Sequence, residues 1–73
     1  MTLKFMNEVF FFHFNLQGQR FEVQMERESL LENWFLTVKN TDTKETLASF
    51  MGQKTLVPDR QTAETILRQY VKE

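Results

Sequence analysis

The sequence predicts an α+β fold: an antiparallel sheet of about four strands, arranged as two hairpins, with one C-terminal helix packed on one face. Three observations predict it. Phe10, Phe12, Phe14 and Leu16 alternate before Gly18, and Phe21, Val23 and Met25 alternate after it, which is the period of strands. A second pair of alternating segments flanks the polar cluster Asn40-Thr41-Asp42-Thr43, a turn signal. Ala63, Ile66, Leu67, Tyr70 and Val71 then recur at i, i+3, i+4, i+7 and i+8, the apolar stripe of a surface helix.

The first hairpin turns at Gly18. Glycine at the first central position suits a two-residue type II′ turn, because only glycine adopts its positive φ without steric cost. That turn pairs Gln17 with Arg20 and sets Leu16 against Phe21, Phe14 against Val23 and Phe12 against Met25. All of these side chains fall on one face, and a one-residue slip would scatter them. The opposite face carries Val9, Phe11, His13 and Asn15 beside Glu28, Glu26, Gln24 and Glu22. Phe11 is exposed there unless Leu3 and Phe5 cover it.

Ser29-Leu30-Leu31-Glu32 has the spacing of a capping box, Ser at the N-cap and Glu three residues on. Trp34 to Lys39 resumes strand character too soon for a long helix, so about one helical turn is expected. Leu30 and Leu31 would plug one end of the core. A four-residue loop then sets Val38 against Glu45, Leu36 against Leu47, Trp34 against Ser49 and Phe35 against Ala48. Both faces of this hairpin are apolar, Trp34/Leu36/Val38/Leu47 on one and Phe35/Ala48/Phe50 on the other. Strands with two apolar faces are central or lie in an interface.

Residues 52–57 connect to the helix. Either Asp59 caps it or Pro58 takes its first position. Arg60, Glu64 and Arg68 stand four residues apart on its outer side, a spacing that adds a few tenths of a kcal/mol per pair. A helix of about 14 residues is about 21 Å long. That is less than a four-stranded sheet, so one sheet face is expected to stay open to a partner.

The 73 residues are read as one domain, 1–73, at a size where the core is marginal. Eight Phe, one Trp, one Tyr and four Met compensate with bulk. A buried aromatic removes about 150–250 Å² from water, which is roughly 4–6 kcal/mol before entropy is subtracted. With no cysteine, disulfides and thiolate metal sites are excluded, and an intracellular, cytoplasmic setting is expected. Asn7, Glu8, His13 and Asn15 interrupt the apolar start, so no signal peptide is read, and no run is long enough to span a membrane. The net charge of −1 gives no global pull toward nucleic acid or anionic lipid. The chain carries no internal repeat or low-complexity segment.

No residue pattern points to catalysis, a cofactor or a metal. His13 is the single histidine, whereas a metal site needs three or four ligands and a triad needs a base beside its nucleophile. Glu22, Glu26, Glu28 and Glu32 read as a solvated acidic edge. Met51-Gly52-Gln53-Lys54-Thr55 contains Gly-x-Lys-Thr but lacks the first glycine and the following helix of a phosphate-binding loop. The expectation is a non-catalytic binding or regulatory protein, without cofactor, that works by protein–protein contact. A homodimer through the uncovered sheet face is one form of that contact. The candidate interaction surface is Phe11, His13, Phe35, Thr37, Lys39 and Lys44. The alternative is a small nucleic-acid-binding protein that uses the sheet face around Trp34, Phe35, Lys39 and Lys44, where Thr37, Lys39, Lys44 and Thr46 would share a face.

Overall fold

The structure, a computed structural model, describes residues 8–29 and 31–71. Four strands form one antiparallel sheet in chain order: β1 Glu8–Leu16, β2 Gln19–Arg27, β3 Trp34–Asn40 and β4 Glu45–Gly52. The helix α1, Arg60–Tyr70, follows and packs over β1 and β2. Every connection between strands is local, so the meander forms without a crossover. The α+β class and the single C-terminal helix are as the sequence predicts.

The first hairpin keeps the predicted faces but shifts its register by two residues. Leu16 faces Gln19, Phe14 faces Phe21, Phe12 faces Val23 and Phe10 faces Met25. The loop is therefore Gln17-Gly18, and both residues have positive φ, 54° and 75°. That is the type I′ pattern rather than II′. A shift of two preserves side-chain alternation, so the face criterion that excludes a slip of one cannot distinguish these two registers.

The second hairpin contains a bulge. Lys39 faces Thr46, whereas Val38 faces Ala48, which leaves Leu47 as one extra residue on β4. The bulge reverses the alternation of β4. Ala48 therefore sits opposite Val38 and Phe50 opposite Leu36, and both pack against the core. The expected pairs Leu36–Leu47 and Phe35–Ala48 do not form. Asn40 is buried at the end of β3. Its Oδ1 accepts from the backbone N–H of Asp42 and Thr43 at 2.9 and 3.1 Å, and its Nδ2 donates to Gln19 at 3.2 Å. Asp42 reaches across to Arg20, accepting from its backbone N–H at 3.0 Å and its Nε at 2.9 Å. These bonds, the backbone one first, hold the Asp42 carboxyl below its ordinary value.

Among the described residues of the β2–β3 connection no helix is present. Glu32 N–H donates to the Ser29 carbonyl at 3.1 Å and Leu31 N–H to Ser29 Oγ at 3.3 Å, which closes a tight turn instead. Leu31 is exposed and does not plug the core; Trp34 fills that end. Leu30, like Leu3 and Phe5, lies outside the described residues.

Asp59, rather than Pro58, settles the helix start. Its side chain accepts from Thr62 N–H at 2.8 Å, a standard N-cap bond. That bond also lowers the Asp59 carboxyl below its ordinary value. The helix has 11 residues, about 16 Å of axis. Ala63, Ile66 and Leu67 are buried on Phe14, Phe21, Val23, Met25, Trp34, Leu36 and Val38. Arg60 lies 4.3 Å over the Phe14 ring at one end, and Tyr70 meets Phe50 at 5.7 Å toward the other. One short helix thus covers one face of the sheet diagonally.

Candidate functional site

The face of the sheet away from α1 carries the alternate residues of every strand. The registers arrange them in three rows that run from β1 to β4. The first is Val9–Glu26–Phe35–Met51, the second Phe11–Gln24–Thr37–Ser49 and the third His13–Glu22–Lys39–Thr46. Among the described residues no element lies over these rows. Val9, Phe11, Phe35 and Met51 stay exposed, Phe11 at 54% and Met51 at 61%. Apolar side chains thus gather at one end of the face.

The other end is polar and locally paired. His13 Nε2 and Glu22 Oε1 are 3.0 Å apart, and Lys39 is the next cross-strand neighbour of Glu22. Beside the apolar row a shallow depression of about 330 Å³ is lined by Glu26, Glu28, Glu32, Phe35 and Met51 among others. No ion pair among the described residues engages Glu26, Glu28 or Glu32. Arg27 also lines the depression but is paired with Glu8, so this corner is apolar with a net negative charge.

Of the six residues singled out in the sequence, five share this face: Phe11, His13, Phe35, Thr37 and Lys39. Lys44 does not. It sits in the β3–β4 turn with φ 63°, because the loop closes Asn40 on Glu45 and so takes in residue 44. Trp34, central to the nucleic-acid alternative, is fully buried on the helix side. Its indole N–H donates to the Leu56 carbonyl at 2.9 Å, the Arg27 guanidinium covers its ring at 4.0 Å, and Phe10 meets it edge-on at 5.9 Å. It cannot stack on a base. Met51 is the residue that sequence reasoning missed. Simple alternation from Glu45 puts Met51 on the core side, and the bulge at Leu47 turns it to the open face.

Among the described residues no group of three His, Asp or Glu side chains is placed to hold a metal ion. No buried side-chain polar atom among them lacks a hydrogen-bond partner. No helix among them is long and apolar enough to cross a membrane. Comparison with known proteins finds no family model, curated protein or solved structure that matches the chain.

Proposed function

We propose that the protein is a small, non-catalytic binding protein that acts in the cytoplasm by protein–protein contact through the open sheet face. The observation that carries this reading is the row Val9–Glu26–Phe35–Met51, whose three apolar members are exposed, with Phe11 beside Val9. Exposed apolar side chains gathered on one face of a small domain mark interaction surfaces. Aromatic residues and Met are the types enriched in interface cores.

The charge around the row selects the partner's chemistry. Glu22, Glu26, Glu28 and Glu32 lie on or beside the face, against Lys39 in the three rows, while Arg20 at the end of β2 and Arg27 beside the depression are paired with Asp42 and Glu8. A phosphate backbone needs cationic contacts to release its counterions, and this surface offers few. A protein surface that presents apolar side chains ringed by Lys or Arg fits it better. The test is site-specific photo-crosslinking in the native cell, with p-benzoylphenylalanine placed at Met51 or at Gln61 on the outer side of α1. Discrete protein adducts from position 51 and none from 61 are expected. Equal labelling from both positions, or adducts to nucleic acid, would contradict the reading.

A further inference from the structure

The strand order leaves β1 and β4 as the two edges of the sheet. Edges present unpaired backbone groups, and soluble proteins guard them with bulges, Lys, Pro or short strands. β4 is guarded by its bulge at Leu47. Among the described residues β1 has no such guard. Its nine residues contain no Lys or Pro, and its register with β2 runs without a shift from Glu8 to Leu16.

Hairpin geometry fixes which backbone groups of β1 point outward. Leu16 and Gln19 flank a two-residue loop, so they form a hydrogen-bonded pair, and such pairs alternate along an antiparallel ladder. The even-numbered residues of β1 bond β2. The N–H and C=O of Val9, Phe11, His13 and Asn15 point away from the sheet.

We propose that two copies of the chain join through this edge, antiparallel about a twofold axis at Phe12, into one continuous sheet. Centring the pair on Phe12 lets all four outward residues exchange both of their bonds, Phe11 with His13 of the second copy and Val9 with Asn15 of the second copy. No other centre on Glu8–Leu16 uses all four. The side chains agree with this register. Phe12 meets its own copy and Phe10 meets Phe14 of the second copy, and aromatic cross-strand pairs are favourable. Phe10 and Phe12 are only half-buried in a single chain, so the pairing gives them cover. The two charged or titratable residues of β1 do not meet like charges: Glu8 faces Leu16 and His13 faces Phe11 of the second copy. Parity is conserved, so both helices lie on one side and the two open faces merge on the other. The contact is isologous and closes at two copies, whereas a β1-to-β4 contact would propagate and the bulge opposes it.

This inference stands independently of the proposed partner site, because it uses the edge and not the face. It is tested on the full chain by sedimentation equilibrium from low micromolar to submillimolar concentration, with amide exchange and isotope-filtered NMR on a mixed labelled sample. A dimer is expected, with slow exchange of the Val9, Phe11, His13 and Asn15 amides. An intermolecular NOE between the α-protons of Phe10 and Phe14 is also expected, since within one chain these lie about 13 Å apart. His13→Pro removes an outward N–H without touching the β1–β2 ladder and should raise the dimer dissociation constant more than about tenfold. His13→Ala keeps that N–H and should leave the constant within about threefold. A monomer throughout, or a dimer whose four edge amides exchange freely, would overturn the proposal. If His13→Pro fails to fold, the wild-type exchange pattern and the NOE still decide. Neither result depends on adducts from Met51, so failure of the edge pairing and failure of the face reading are distinguishable.

Discussion

The guanidinium of Arg27 lies 4.0 Å from the centre of the Trp34 ring and bonds Glu8 through Nη2 at 3.2 Å. The Arg27 side chain is only 12% exposed, so it packs the end of the core as well as carrying charge. Arg27→Ala removes the ring contact and strips Glu8 of its partner. A loss of about 1–3 kcal/mol is expected from the cation–π and charged hydrogen-bond terms together. Arg27→Lys should recover only part of it, because an ammonium cannot lie flat on the indole while forking to a carboxylate. Urea denaturation of the three proteins measures both effects.

Asn40 organises the β3–β4 turn from inside the protein. Its amide satisfies two backbone donors and one glutamine oxygen. Asn40→Ala leaves Asp42 and Thr43 N–H groups without that acceptor and should cost about 1–3 kcal/mol. Asn40→Asp keeps the acceptor and loses the donor to Gln19, so an intermediate loss is expected in the same urea series.

Acid should destabilise the protein through two named carboxyls. Asp42 and Asp59 are both held below the ordinary value of 3.8, by hydrogen bonds from Arg20 and Thr62 respectively. A lowered value means that the folded state binds its proton later than the unfolded chain does. The stabilisation is therefore complete above the ordinary value and fades as pH falls through the lowered one. The melting temperature should fall below about pH 4. In Asp59→Asn the cap is retained, because Asn caps as well as Asp, but that part of the acid slope should disappear. Thermal melts between neutral pH and pH 2 read the difference.

Gly52 ends β4 opposite Trp34. A Cβ there would stand 2.6 Å from Leu36 Cδ1 and 2.8 Å from Leu56 Cδ1. Leu36 is fully buried and has little room to retreat. Gly52→Ala should cost about 1–3 kcal/mol by overpacking, although alanine is an ordinary strand residue. No loss on denaturation would show that the two leucines re-pack freely.

Much of the fold was legible because alternation and helical periodicity are strong in this chain. The even-numbered rings of β1, the odd-numbered partners of β2 and the stripe from Ala63 to Leu67 meet in one core as read. Four features were not legible, each for a physical reason. The turn at Gln17-Gly18 could not be told from one at Gly18-Gln19, since both keep the same faces and both use Gly18. The bulge at Leu47 adds a residue without any Gly or Pro to signal it and so turns Met51 to the open face, while the β3–β4 loop spans 41–44 and not 40–43, which puts Lys44 in the turn. Ser29 and Glu32 have capping spacing, but Trp34 begins a strand before a helix can propagate. The inward position of Trp34 is left open by the sequence, because residues 34 and 35 are both apolar.

The division of labour between the two sheet faces can be measured on one strand. Phe14 is 6% exposed and Phe11 is 54% exposed, three residues apart on opposite sides of β1. In parallel urea titrations, Phe14→Ala should cost about 3–5 kcal/mol and Phe11→Ala less than about 1 kcal/mol. Equal losses, or unfolding of Phe11→Ala alone, would mean that the face read as open is part of the core.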